Sequence, residues 1–240
     1  MQKIIWSICL LLLITNVQAQ TPNLVYDANA QVRNVGNFSG VSVGSGIKLY
    51  LSQGSTQAVA VSAEDAGYTD KIITEVKDGI LKIRVESKMW NNWNWGNKKL
   101  KAYVTVTNIN FLGASGGSIA EVADEIKVND IKVDASGGSI IKGKFTGNNM
   151  QIDLSGGSIA KLDGSLEKLD ISASGGSIFK DYSLVVNYLT VDASGGSIIN
   201  ASISKELKAS ASGGSIINYK GAGVITSVDA SGGSIIKKKD

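Results

Sequence analysis

The sequence predicts an all-β chain wound as a right-handed parallel β-helix, a solenoid with about 19–20 residues per coil. Three observations predict it. The pentapeptide Ser-Gly-Gly-Ser-Ile begins at Ser115, Ser136, Ser155, Ser174, Ser194, Ser212 and Ser231, at intervals of 18 to 21 residues. That spacing is too short for a helical hairpin and matches one turn of a β-solenoid. The residues leading into each copy alternate apolar and polar, the mark of a strand with one buried face. The chain also carries 28 glycines and a single proline with 43% hydrophobic residues, which supplies tight corners and is too apolar for disorder. Parallel crossovers are overwhelmingly right-handed, which sets the expected hand.

Along the chain, residues 1–19 read as a signal peptide. Met1-Gln2-Lys3 is a short positive start, Ile4 to Ile14 is apolar, and Val17-Gln18-Ala19 fits a small-residue cleavage site. The apolar run falls well short of the roughly 20 residues that span a bilayer, so no transmembrane segment is expected in the mature chain. Cys9 lies inside this segment and is the only cysteine, so disulfides and cysteine metal sites are excluded from the mature protein. Residues 20–34 lack periodicity and read as a flexible lead. Export without disulfides suits the periplasm, the outer surface or secretion from a Gram-negative bacterium.

Residues 35–240 read as one β-helix domain. Its opening, residues 35–110, is expected to form elaborated coils that cover the first core face, because a bare solenoid end aggregates. Phe38 to Ile47 reads strand, glycine corner, strand; Lys77-Asp78-Gly79 is a hairpin signal between two apolar runs. Residues 111–240 hold the seven coils. One, three and five residues before each first serine stand mostly apolar residues, such as Ala173, Ile171 and Leu169, all expected to face inward. The glycine pair turns the chain. The isoleucines that follow, Ile119, Ile140, Ile159, Ile178, Ile198, Ile216 and Ile235, are expected to stack as one column in the core. The motif serines are expected to lie outward or at the corners, where they would satisfy turn amides. The variable remainder of each coil is expected to hold a third short strand plus a loop that absorbs the length differences. Lys237-Lys238-Lys239 reads as a charged guard on the last edge.

Composition removes several chemistries. There is no histidine, and hence no histidine base, metal ligand or Ser-His nucleophile. The formal net charge of +3 is too small to argue for nucleic acid. The calcium-binding Gly-Gly-x-Gly-x-Asp nonapeptide is absent, so no metal or other cofactor is expected. Two candidate sites stand out. Trp90, Trp93 and Trp95, with Asn92 and Asn94, crowd one short segment between strands. Indoles can stack on sugar rings or anchor a protein contact, and amides can meet hydroxyls; the alternative is a loop folded back onto the solenoid. Asp134, Asp153, Asp192 and Asp229 form a second, weaker candidate, an outward acidic column. Paired carboxylates can serve glycoside hydrolysis, but Ser172 and Ser210 interrupt this column, and a solvated structural role suits it better.

The segment Phe38 to Gln53, with Gly44-Ser45-Gly46-Ile47 at its centre, and the run Asp70 to Ile83 resemble the putative auto-transporter adhesin head domain, the head GIN domain. The resemblance covers roughly residues 35 to 235. It implies an exported β-helix and a non-enzymatic adhesin-like scaffold that contacts glycan or protein at the cell surface. The family offers no catalytic or ligand residues to carry over. The other readings are a polysaccharide-acting β-helix enzyme using the stacked aspartates and a purely structural envelope protein.

Overall fold

The computed structural model describes residues 27–86 and 98–240. The chain is nearly all β and winds as a solenoid of about seven turns. Its body consists of parallel strands that each run from one glycine corner to the next: β9 (Ile119–Ala135), β10 (Ile140–Leu154), β11 (Ile159–Ala173), β12 (Ile178–Ala193) and β13 (Ile198–Ala211). The expected separate strand plus loop is absent from these coils. Each is one continuous ladder, because every backbone group can find a partner in the coil above or below. Length differences are absorbed inside the ladder as bulges. The step from Glu121 to Glu125 lies opposite the shorter step from Lys142 to Lys144, and Ala160 to Gly164 opposite the longer step from Phe179 to Leu184.

The first half of β9 continues into a sheet with β3 (Lys48–Gln53), β7 (Lys101–Val106), β4 (Ala58–Ser62) and β1 (Gln31–Val32). Its second half pairs with β8 (Phe111–Ala114), followed by β2 (Gly40–Val43), β6 (Ile80–Val85) and β5 (Ile72–Lys77). The outer members of both sheets are antiparallel: β4 against β7, β1 against β4, and β5 against β6. Asp78 and Gly79, both at positive φ, make the tight turn between β5 and β6. One four-residue helix, α1 (Ala66–Thr69), interrupts the β structure, with the Asp65 carboxylate accepting the Gly67 N–H at 2.7 Å.

The expected inward alternation is present before the first six corners, while Val228 and Ala230 before the seventh are exposed. Leu112, Val133, Ile152, Ile171, Val191 and Ala209 are buried, as are the alanines or leucine two residues on. After the corner, the phase differs from expectation by one residue. The motif isoleucines do not form a core column. Ile119, Ile140, Ile159, Ile178, Ile198 and Ile216 are half-exposed, stacked in register on the outer face. The following residues, Ala120, Ile141, Ala160, Phe179, Ile199 and Ile217, fill the core instead. A one-residue shift flips every side chain of a strand to the other face.

The residue that turns inward directly after the glycines is the second serine. Ser118, Ser139, Ser158, Ser177, Ser197 and Ser215 are fully buried, against the expected outward placement, whereas the first serine of each motif is at least partly exposed, and the Ser136 and Ser155 turn amides do donate to the Ser139 and Ser158 hydroxyls at 3.1 Å. Apart from that of Ser118, which has no partner among the described residues, the buried serine hydroxyls reach main-chain carbonyls of the preceding coil: Ser139 donates to Ala114 at 2.8 Å, Ser158 to Ala135 at 2.9 Å and Ser215 to Ala193 at 2.9 Å. Such a partner offsets the cost of burying a hydroxyl. The glycines are required for two separate reasons. Gly156 and Gly157 have φ of +61° and +76°, and a Cβ on Gly156 would stand 3.0 Å from the Gly137 nitrogen of the coil before it.

β14 (Ile216–Lys220), β15 (Val224–Ala230) and β16 (Ile235–Lys238) form the last turn. Val224, Ile225, Val228 and Ile235 are exposed there. Lys238 is in register with the buried Tyr219 and Ala201, so it occupies a core column position at the open end. A charge at that position discourages a further strand from adding.

Two outcomes follow from this geometry. Ile141→Ala should cost about 3 kcal/mol, the usual loss for a truncated core side chain, and Ile140→Ala only about 1 kcal/mol. Urea unfolding of both variants checks the phase, and equal losses would contradict it. Lys238→Val should increase end-to-end self-association in sedimentation velocity; an unchanged distribution would mean that the lysine does not guard the edge.

Candidate functional site

The predicted acidic column exists as a physical column. Asp134 is in register with Asp153, Asp153 with Ser172, Ser172 with Asp192, Asp192 with Ser210 and Ser210 with Asp229. Only Asp134 and Asp153 are therefore direct neighbours, about one strand spacing of 4.8 Å apart. Lys132 lies between them, with Nζ at 3.0 Å from Asp153 and 3.4 Å from Asp134. The Asp134 Oδ1 is shielded from solvent and meets Lys132 as an ion pair rather than a directed hydrogen bond. Burial pushes the Asp134 carboxyl up from its ordinary value, and the Lys132 charge offsets this only in part. The two aspartates push the Lys132 ammonium up, Asp153 most strongly.

The same pairing continues over the rest of the outer surface. Glu121 bridges Lys48 and Lys142 at 3.0 and 3.1 Å, Glu125 meets Lys144 at 2.8 Å, and Asp170 meets Lys168 at 2.9 Å. Amides form their own ladder: Asn149 donates to Asp130 at 2.7 Å, Asn187 to Glu167 at 2.6 Å and Asn218 to Asn200 at 2.8 Å. These charges are thus met by partners within a coil or on the neighbouring coil. A shallow groove of about 390 Å³ runs along the corner, lined by Asp153, Ser172, Asp192 and Ser210 with the first serines Ser155 and Ser174. Among the described residues no group of three or more acidic side chains is placed to hold a metal ion, and no helix is long and apolar enough to cross a membrane.

Trp90, Asn92, Trp93, Asn94 and Trp95 lie outside the described residues. The strands that flank them are firmly held. At one stem the Val85 N–H donates to the Ser45 hydroxyl at 3.2 Å. At the other, the Lys98 carbonyl accepts the Glu64 N–H at 2.9 Å, Lys98 Nζ donates to the Tyr68 hydroxyl at 2.9 Å, and Lys99 pairs with Glu64 at 3.0 Å. Both stems therefore emerge at the end of the solenoid where α1 sits.

One feature was not singled out in the sequence. A cleft of about 720 Å³ opens on the outer face of β3, β7 and β4, beneath the segment that follows β1. Tyr50 and Tyr103 stack in it, with ring centroids 5.2 Å apart and planes 9° from parallel. The local signal was only that each tyrosine occupies an outward position of an alternating strand. Their meeting depends on β3 pairing with β7 across more than 50 residues of chain.

Removing Lys132 should raise the Asp134 pKa further. A carboxyl whose folded pKa lies above its unfolded value makes the folded state less stable as pH rises through that interval. The Lys132→Ala variant should therefore lose more stability than the parent between acid and neutral pH. NMR titration of the carboxyl carbons together with melting temperatures checks it, and an unmoved Asp134 titration would refute the coupling.

A family model described as putative auto-transporter adhesin, head GIN domain, matches residues 37–223. A search of curated proteins gives no match. Among solved structures, a putative adhesin from Bacteroides fragilis superposes with a TM-score of 0.81 at 18% identity, over 88% of this chain and 96% of that one. A putative lipid binding protein from Parabacteroides distasonis gives 0.67 at 18% identity, over 88% and 96%. A putative adhesin from Parabacteroides merdae gives 0.62 at 15% identity, over 88% and 95%. At these identities the likeness is one of fold.

Proposed function

The chain belongs to the family described as putative auto-transporter adhesin, head GIN domain, and from that membership we propose that it is an exported, non-enzymatic surface scaffold that binds glycan or protein. One observation carries the reading beyond the family: on the outer surface of the first repeat coils, lysines and carboxylates pair across adjacent coils. Such a surface suits a stiff spacer. Catalysis by a carboxylate pair needs one member held ready to give or take a proton at the substrate. Lys132 occupies the space where Asp134 and Asp153 would share one, which favours a structural role for the column.

Contact is then expected where the repeat pattern is broken. The tryptophan segment is the sequence candidate, and its stems are anchored at the end of the rod, a place from which it could meet another surface. Changing Trp90, Trp93 and Trp95 together to alanine should abolish binding on glycan and host-matrix protein arrays while leaving the melting temperature nearly unchanged. A large stability loss with binding intact would mean that the indoles pack rather than bind. Absence of binding to any glycan or protein by the unaltered protein would count against the scaffold reading itself.

A further inference from the structure

The cleft beside the Tyr50–Tyr103 pair has the construction of a ligand site. Its floor is made of small outward side chains. Ser52 and Thr105 share a hydrogen bond at 3.1 Å, and Ala58 lies opposite Thr105 on the neighbouring strand. Larger residues at these three positions would fill the depression. The tyrosines form one wall, and the wall is fixed in place. Tyr103 donates its hydroxyl to Asp27 at 3.3 Å, Asp27 is held by Lys101 at 2.8 Å, and Lys48 Nζ lies 4.5 Å from the Tyr50 ring centroid. The opposite wall is the segment after β1, tied down where the Gln57 amide donates to the Phe38 carbonyl and the Arg33 N–H donates to Val59 at 2.8 Å.

Polar groups stand around this apolar and aromatic interior. The Arg33 Nε is shielded from solvent and has no hydrogen-bond partner among the described residues, although its Nη2 donates to the Thr69 carbonyl at 3.0 Å. Asn37 and Asp124 are exposed at the rim. The cleft crosses the strands from β9 to β4, three strand spacings or roughly 14 Å. A lipid chain would use neither the Asn37 amide nor the Asp124 carboxylate at the rim. A peptide adding as a strand would need an open edge, and this cleft lies on a sheet face. A sugar offers both required chemistries: C–H faces that pack on aromatic rings, and hydroxyls that both donate and accept.

The geometry points to this cleft as the binding site of a short, uncharged oligosaccharide, with the Tyr103 ring, backed by Tyr50, as the stacking wall, Asn37 as a donor and Asp124 as an acceptor. It rests on the scaffold reading above and gives that reading a ligand class and a second location, separate from the tryptophan segment. The absence of charge follows from the lining, where one cation and one carboxylate lie at opposite sides of the same depression.

The test uses the full chain with four soluble probes: maltotetraose, cellotetraose, chitotetraose and lacto-N-tetraose, followed by NMR chemical-shift mapping. At least one should shift the amides of Ser52, Tyr103 and Thr105. Tyr103→Ala should weaken that probe about tenfold, as expected for a truncated aromatic anchor. Asn37→Ala and Asp124→Ala, both at exposed positions, should each weaken it about threefold with an unchanged melting temperature. Lys168→Ala, distant on the repeat face, should bind as the parent does. Thr105→Trp, which fills the floor, should eliminate the shifts; if it does not fold, the two rim variants decide the matter. If no probe binds, or if shifts map elsewhere, the cleft assignment is wrong. Array binding that persists in that case and depends on the tryptophans would leave the scaffold reading standing.

Discussion

The structure depends on what happens at each Ser-Gly-Gly-Ser corner. Two consecutive residues at positive φ reverse the chain, and the serine after them turns into the core. There its hydroxyl bonds to a carbonyl of the previous coil, as Ser158 does to Ala135. Main-chain bonds continue the ladder through the corner itself, from the Gly138 N–H to the Gly156 carbonyl at 3.0 Å. A corner therefore stacks only on another corner of the same kind. That requirement fixes the register of everything between: the buried row before the corner, the buried row after it, and the outward columns of charge and amide. Differences in coil length are displaced to bulges away from the corner, where the Ser-Gly-Gly-Ser turns need not be matched.

The outer surface follows from the same register. Parallel stacking brings residues of like position together, so an acidic column would repel itself unless other residues intervene. The chain meets this constraint with serines between aspartates and with lysines set one position aside, as Lys132 is to Asp134 and Asp153. The result is a stiff body whose side chains are occupied with each other. The N-terminal sheets differ because antiparallel strands are added there outside the parallel pair β3 and β7. Small residues can then face outward side by side, and the cleft below Tyr50 and Tyr103 is the consequence.

Much of this was legible in local sequence. Period-two alternation and paired glycines are short-range signals, so the solenoid, its corners, the Asp78-Gly79 turn and the acidic column could all be read from spacing. The side facing inward after each corner was not legible. Hydrophobicity assigned the motif isoleucines to the core, but the two positive-φ glycines rotate the chain so that Ser158 points inward and Ile159 outward. A serine in the core looks unfavourable until the carbonyl that receives its hydroxyl is in view. The tyrosine pair was equally hidden, since Tyr50 and Tyr103 are brought together only when β3 takes β7 as its neighbour.

The sequence by itself determined that this chain is a repeat-built β-solenoid of the head GIN domain kind, because a repeat of about 19 residues with glycine corners has few ways to bury its apolar rows. Tertiary structure alone decided which member of each Ser-Ile pair is buried, which charges are neutralised and where a cleft opens. Those outcomes depend on partners one coil away or on strands distant in the chain, and register across such distances is set by the whole stack rather than by any local stretch.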